Sequence, residues 1–260
     1  MNVATDGTAQ GRWIIFSRGP EHSLTLHLSA FVRLASADRE ILTQALQRRV
    51  RILEPRQDII REGERPRFVN VILEGWAQRY KQLADGRRQI LSFFIAGDLC
   101  DANIFILKQM DHSLSTVTRV KLAEISQSEF QEIMERSPRI AQALWWNELV
   151  TVAIQREWTT NIGQRTAYER IAHLFCEMFV RLRTTGRTDD DECEFPLTQS
   201  EIAEATGLTQ VHVNRTIQEM RRDQLIELRN KRLKVFDLDR LMSVALFNPN
   251  YLHLDHEGLA

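Results

Sequence analysis

The chain has 260 residues, with 34 Lys and Arg against 35 Asp and Glu and an apolar fraction of 43%. This length favours two domains, and the composition is that of a folded protein, which excludes general disorder. The apolar runs are far shorter than the roughly 20 residues that cross a membrane, and the first residues lack the pattern of a secretory signal. Three widely spaced cysteines exclude a disulfide framework, so we expect a reducing cytoplasm and no membrane partner.

The nearly neutral total charge hides a local excess of basic residues. Residues 209–236 contain seven Arg and Lys but three Asp and Glu, whereas residues 189–194 contain five acidic residues. A basic face attracts nucleic acid whatever the net charge of the whole chain. The charge distribution therefore permits DNA binding.

The first half of the chain predicts an antiparallel β-domain. Residues 1–27 have no hydrophobic period and are predicted as a variable arm, and His27–Leu46 has the apolar pattern of one helix. Glycines then recur at positions 63, 75, 86 and 97, with strand-like runs between them and a hairpin signal at Asp85-Gly86. Turn signals at this regular spacing predict a β-roll within residues 28–136.

A long helix is predicted at residues 137–162. Ser126 and Glu129 form a capping box for a preceding helix, and Ser137-Pro138 gives the long helix an N-cap residue and a proline at its first position. Its apolar residues cover more than one stripe, so one side is expected on the β-domain and the other on the same helix of a second subunit. A central helix buried within one chain is the alternative. The residues expected at the dimer contact are Ile140, Leu144, Leu149, Ile154 and Trp158.

Residues 163–240 are predicted to form a winged helix-turn-helix, followed by a tail at residues 241–260. Gly163 is expected to end the long helix, and the acidic stretch Thr184–Glu194 is expected to be a surface loop. Thr198-x-x-Glu201 is a capping box, Gly207 ends the helix that follows, and a second helix covers Thr209–Arg222. Two short helices joined by a tight glycine turn form a helix-turn-helix, and two short strands around a basic tip add a β-wing.

The second of these helices fits the major groove of DNA, where its first turns reach the base edges. The base-reading candidates are Gln210, Val211, Asn214 and Arg215. Arg215 can give guanine two hydrogen bonds, and Val211 can contact a thymine methyl. The candidates for phosphate contacts, which position the protein without reading sequence, are Thr198, Gln199, Thr209, Arg221, Lys231 and Arg232. A winged helix that binds a protein is the alternative, and the basic bias argues against it.

The stretch TQSEIAEATGLTQVHVNRTIQ, residues 198–218, resembles the helix-turn-helix of the Crp/Fnr family of bacterial transcription regulators. Gly163–Leu174 and Phe236–Leu241 are similar to the segments that flank it in the family, and the likeness covers about residues 28–240. The resemblance implies an α+β chain of β-roll, dimerisation helix and winged helix-turn-helix. It also implies a homodimer on a near-palindromic operator, with RNA polymerase as a further partner if the protein is an activator. Arg215 matches the family's guanine-reading arginine, whereas Val211 stands where the family often has glutamate.

The β-roll departs from family members that sense known signals. Members that bind cyclic AMP hold it with a Gly-Glu and an Arg-Ser pair, and the corresponding residues here give His112-Ser113 in place of the second pair. A neutral imidazole replaces a bidentate guanidinium poorly, so we expect cyclic AMP not to bind. Other effectors stay open, with a candidate pocket formed by Asp98, Asp101, Asn103, His112 and Ser113.

Cofactors and catalysis are not expected. Family members with an iron–sulfur cluster use four cysteine ligands, whereas this chain has three cysteines and none before Cys100. Cys100 is the best candidate for a thiol switch, with a structural role as the alternative. A cupin-like metal enzyme would need a His-x-His cluster, and residues 50–125 contain only His112. We therefore expect a regulator that is not an enzyme, with either an unknown effector or a β-roll that serves only as a scaffold.

Overall fold

A computed structural model of the chain describes residues 23–102 and 104–254. The chain divides into two compact units, the first ending at Val152 and the second beginning at Ala153. This boundary falls inside a single long helix, which spans Pro138–Gln164. None of the helices in the described part of the chain is long and apolar enough to cross a membrane.

The first unit begins with two helices, α1 (Ser23–Ser29) and α2 (Ser36–Arg48). The prediction of one helix over His27–Leu46 is therefore wrong. The chain turns after α1, and the carboxylate of Asp38 accepts a hydrogen bond from the amide of Ala35 at 2.8 Å, which caps a new helix. Helix α1 begins inside the predicted N-terminal arm, and residues 1–22 of that arm lie outside the described residues.

Eight antiparallel strands form the β-roll, in two sheets of four with the orders β1-β8-β3-β6 and β2-β7-β4-β5. Between the sheets lies an apolar core that includes Ile72, Phe94, Leu114 and Leu122. The strands are β1 (Val50–Leu53), β2 (Asp58–Ile60), β3 (Phe68–Glu74), β4 (Ala77–Gln82), β5 (Arg88–Phe94), β6 (Leu99–Cys100), β7 (Ser113–Thr116) and β8 (Val120–Ser126).

The four glycines that predicted turns all have positive φ angles, between 85° and 105°. Glycine is the residue that adopts this conformation without strain, because it has no Cβ. Gly86 lies in the turn of the β4–β5 hairpin, in which Gln82 pairs with Arg88. Gly75 is more constrained, because an added Cβ there would lie 2.2 Å from the carbonyl oxygen of Arg119.

Two helices follow the β-roll, α3 (Gln127–Arg136) and α4 (Pro138–Gln164). The capping box of Ser126 with Glu129 is confirmed. The hydroxyl of Ser137 accepts from the amide of Ile140 at 3.1 Å and donates to Asp38 at 2.6 Å, which caps α4 and joins it to α2. Gly163 does not end α4 as predicted. It is exposed, and the chain leaves the helix only before Thr166, which caps the next one.

The second unit contains α5 (Ala167–Thr184), a winged helix-turn-helix and a C-terminal helix. The acidic stretch predicted as a loop instead supplies two strands, which extend the wing into a four-stranded sheet of order β11-β12-β10-β9. Opposite charges favour this pairing, because Glu192 lies across from Lys234 and Glu194 across from Arg232. The elements are β9 (Thr188–Asp189), β10 (Glu192–Glu194), α6 (Gln199–Thr206), α7 (Gln210–Arg222), β11 (Ile226–Arg229), β12 (Arg232–Val235) and α8 (Leu238–Val244).

The region predicted as a C-terminal tail is packed onto the second unit as far as it is described. The guanidinium of Arg165 donates to the carbonyl oxygens of Ala245 at 3.2 Å and Leu246 at 3.1 Å. The hydroxyl of Tyr251 donates to the buried carboxylate of Glu177 on α5 at 2.8 Å. Residues 255–260 lie outside the described residues.

Gly75→Ala should destabilise the β-roll more than Gly86→Ala does. Both glycines have nearly the same φ, 86° and 88°, so both substitutions incur the same type of backbone strain, roughly 1–2 kcal/mol. Only at Gly75 does the new Cβ meet backbone; at Gly86 nothing lies within 4 Å. We expect a further loss of about 2 kcal/mol for Gly75→Ala, measured from urea unfolding midpoints. Equal midpoints for the two variants would contradict this packing.

Candidate DNA-binding interface

The turn between α6 and α7 is fixed by backbone hydrogen bonds and two helix caps. Thr198 and Glu201 form the predicted reciprocal box, with the amide of Thr198 donating to the Glu201 carboxylate at 2.7 Å. Gly207 has a φ of 67° and ends α6, as predicted. Thr209 then caps α7, because its hydroxyl accepts from the amide of His212 at 3.2 Å. These local contacts set the direction in which α7 leaves the turn.

Helix α7 has one buried and one exposed face. Val213, Ile217 and Met220 are buried against the rest of the second unit. All four base-reading candidates, Gln210, Val211, Asn214 and Arg215, lie on the exposed face of its first turns. Val211 is 80% exposed, so its side chain adds an apolar surface to this face.

Arg215 has a hydrogen-bond partner that the sequence reading missed. Its Nη2 donates to Nε2 of His212 at 3.2 Å, one helical turn away. This contact restricts the guanidinium before any DNA arrives, and a restricted side chain loses less entropy on binding. The spacing of three residues on one helix was the signal available in the sequence.

The predicted phosphate contacts divide into two groups. Thr198, Gln199, Thr209, Arg221 and Lys231 are exposed, and Lys231 forms no ion pair with any described residue. Arg232 is different, because its guanidinium is already paired with the carboxylates of Glu192 and of Asp189, the latter at 3.1 Å. The acidic residues of β9 and β10 therefore neutralise the charge of Arg232, in a wing whose tip was predicted from the sequence to be basic.

The expected dimer contact on α4 needs correction. Ile140 and Leu144 are buried within the first unit, and Trp158 is buried in the second, where its indole donates to Glu177 at 3.0 Å. Ile154 is half-buried, so of the predicted set only Leu149, at 65% exposure, is open. Other parts of the same chain therefore cover Ile140, Leu144 and Trp158. The exposed apolar stripe consists instead of Trp145, Leu149 and Val152.

The described residues of the candidate effector pocket in the β-roll are engaged in hydrogen bonds within the chain. Asp98 is buried and accepts from the amide of Ile95 at 2.7 Å, and Ser113 accepts from the amide of Glu62 at 2.9 Å. His112 donates to Asp101 at 3.0 Å, and Asn103 lies outside the described residues. The carboxylate of Asp101 thus lies among the residues of the candidate pocket, in contact with Arg79 and His112.

The carboxylate of Asp101 is held ionised by two neighbours. Burial alone would raise the pKa of Asp101, but the hydrogen bond from His112 and the positive charge of Arg79 outweigh that effect, and the pKa is lowered. Asp101 is therefore an internal anion at neutral pH.

Cys100 is not placed for a thiol switch. Its side chain is fully buried, and burial raises the pKa of the thiol well above its usual value. Cys176 and Cys193 are also buried, and burial raises the pKa of Cys193 to about 12, with the neighbouring acids adding to a smaller extent. Since the thiolate is the reactive form, the structure does not support the prediction for Cys100.

Comparisons with known proteins agree with both halves of this description. Residues 169–244 match the Crp-like helix-turn-helix domain, and residues 50–137 match the cyclic nucleotide-binding domain. The transcriptional activator protein FnrL of Cereibacter sphaeroides is 28% identical over 193 residues, covering 73% of this chain and 77% of FnrL. The nitrogen fixation regulation protein FixK of Bradyrhizobium diazoefficiens is 28% identical over 180 residues, covering 68% of this chain and 73% of FixK.

A solved structure confirms the fold. FixK2 from Bradyrhizobium japonicum superposes with a TM-score of 0.68 at 20% identity, over 75% of this chain and 96% of that one. The α+β fold predicted from the sequence, with a β-roll before a helix-turn-helix, is therefore confirmed.

The burial of the thiols leads to a direct chemical test. In the native protein we expect all three cysteines to react slowly with a thiol reagent at about pH 8, because each is buried and protonated. Unfolding in guanidinium should release three fast-reacting thiols. One fast thiol in the native protein that disappears in Cys100→Ser would restore the redox hypothesis for that residue.

Proposed function

Because the chain belongs to the Crp/Fnr family of transcription regulators, we propose that it binds a near-palindromic DNA operator as a homodimer and regulates transcription from it. The observation that carries the proposal is the exposed face of the first turns of α7, where four side chains able to read bases lie together. Helix-turn-helix proteins place this part of the second helix in the major groove.

Each side chain on this face has a chemical role in the proposal. Arg215 gives two hydrogen bonds to guanine and is held for that contact by His212. Val211 contacts a thymine methyl group, and Gln210 or Asn214 reads adenine. A glutamate at the position of Val211 would accept a hydrogen bond from cytosine, which valine cannot do. We therefore propose a half-site different from the one usual in the family.

Contacts to the phosphates position the helix without reading sequence. We assign them to Thr198, Gln199, Thr209, Arg221 and Lys231, which are exposed around the reading face and on the wing. Arg232 contributes less, because leaving Glu192 and Asp189 would cost it two ion pairs.

The dimer forms through the exposed stripe of α4. Trp145, Leu149 and Val152 follow one another at intervals of four and three residues, the spacing of a coiled-coil seam. Two copies of this stripe related by a two-fold axis would bury three large apolar side chains from each subunit. The same symmetry would place two recognition helices on half-sites about 10–11 bp apart.

We further propose that the protein acts in the cytoplasm as an activator that contacts RNA polymerase. The support is that the relatives FnrL and FixK are named as an activator and a regulatory protein, and both match most of this chain.

Arg215→Ala and Lys231→Ala should weaken DNA binding in different ways. Arg215→Ala should cost about 1–3 kcal/mol on the operator and relax selection at one guanine, because a base contact is lost. Lys231→Ala should weaken operator and random DNA alike and reduce the salt slope by about one, because a phosphate contact is lost. Both are measured by anisotropy titration against several salt concentrations. Equal losses on operator and random DNA for Arg215→Ala would reject its reading role.

Leu149→Glu should dissociate the dimer into folded monomers, because it puts a charge into the centre of the apolar seam. The control is Ile52→Glu, since Ile52 is also a large exposed apolar residue, 55% exposed, but lies on β1. Analytical ultracentrifugation should show a monomer for Leu149→Glu and a dimer for Ile52→Glu. A dimer in both variants would place the subunit contact elsewhere.

A further inference from the structure

The side chains of Arg79, Asp101 and His112 meet inside the β-roll from three separate elements. Arg79 lies on β4, Asp101 directly follows β6, and His112 directly precedes β7. One oxygen of Asp101 accepts from the guanidinium of Arg79, and the other accepts from Nε2 of His112 at 3.0 Å. The side chains of Arg79 and His112 are only 10% and 11% exposed. A guanidinium and an imidazole, both largely buried, therefore converge on one carboxylate.

Other contacts hold the guanidinium and the imidazole in place. The second ring nitrogen of His112 lies 2.7 Å from a carboxylate oxygen of Asp111. The guanidinium carbon of Arg79 lies 5.1 Å from the ring centre of Phe94. The buried Nε of Arg79 has no hydrogen-bond partner among the described residues. The guanidinium is thus fixed with donor capacity to spare.

We infer that Arg79 and His112 form an anion-binding site whose ligand is the protein's own Asp101 carboxylate. Carboxylates and phosphates present paired oxygens to a guanidinium in the same way, so the site belongs to the class that takes small oxyanions. A group attached to the chain has a high effective concentration and cannot diffuse away. A free anion would have to displace it.

The backbone at Asp101 fits this role. Its φ is 58°, in the left-handed region that aspartate tolerates better than most residues. This conformation follows β6 directly and brings the carboxylate to β4 and the start of β7. A glycine at the same position would keep the backbone conformation and remove the internal ligand.

The β-roll is thus a scaffold whose anion site is occupied by its own Asp101 carboxylate. Only the consequence for DNA binding rests on the proposed function. DNA binding then needs no anionic effector. Of the two alternatives that the sequence left open, a sensor or a scaffold, the internal ligand favours the scaffold.

The test compares three variants of the full chain by thermal unfolding, with inorganic phosphate or acetate added at constant ionic strength. Asp101→Gly empties the site, Asp101→Asn keeps the shape without the charge, and Glu62→Gln is the control. Glu62 pairs with Lys81 on β4, but both side chains are more than 40% exposed. Phosphate should raise the Tm of Asp101→Gly by about 2–4 °C in a saturable manner and leave the wild type and Glu62→Gln unchanged.

Two results would overturn the inference. One is a folded Asp101→Gly protein with no response to phosphate or acetate, and the other is a wild-type protein with the same saturable response. If Asp101→Gly does not fold, Asp101→Asn decides: its Tm should fall several degrees below that of Glu62→Gln, because the largely buried guanidinium of Arg79 loses its counter-charge. Equal Tm values for these two variants would overturn the inference.

A separate measurement covers the consequence for DNA. The effector-free wild type should bind its operator with the same Kd with and without phosphate at constant ionic strength. Tightening by more than about threefold would overturn the scaffold role. The thermal measurements contain no DNA, so a protein that never binds DNA would refute the proposed function and leave the internal anion site standing.

Discussion

DNA recognition by this fold depends on one constraint: helix α7 buries one face and leaves the other exposed. Val213 and Met220 are fully buried, whereas Val211, between them and the start of the helix, is 80% exposed. The glycine turn at Gly207 and the cap at Thr209 set the start of the helix and so decide which residues face solvent. Burial of the inner face stabilises the second unit, and the side chains of the outer face remain free to contact a partner.

In the wing and in the β-roll, ion pairs within the chain occupy some of the basic side chains. In each, cationic side chains meet carboxylates of the same chain, Arg232 with Glu192 and Asp189, and Arg79 with Asp101. In the wing the pairs are exposed and contribute little to stability. In the β-roll they are largely buried, where an unmatched charge would be far more costly. The acidic residues thus determine which basic side chains stay available to a partner, which the net charge of the chain does not reveal.

The elements that the sequence predicted correctly are those with strong local signals. Local features of this kind can be predicted from the sequence because they involve only a few consecutive residues. Examples are the turns at Gly75 and Gly86 and the capping boxes at Ser126 and Thr198. The exposed reading face of α7 follows from helical periodicity in the same way. The strands β1, β2, β6 and β7 give weak local signals, because they have only two to four residues each. The pairing of Glu192 with Lys234 joins positions 42 residues apart, so no local sequence pattern predicts it.

The burial of Ile140 and Trp158 could not be predicted from the sequence of the helix alone. An apolar side chain gives the same sequence signal whether its own chain or a second subunit covers it. For the same reason the sequence pointed to His112 in the β-roll but not to Arg79, which lies 33 residues away from it.

The measurement that tests the central claim most directly is selection of binding sites from random double-stranded DNA with purified protein, free of any added effector, at a stated salt concentration. The account predicts enrichment of a near-palindrome whose half-sites each contain a guanine and lie about 10–11 bp apart. Failure to enrich any sequence, or enrichment only after a cell extract is added, would contradict a dimer that reads DNA without an effector.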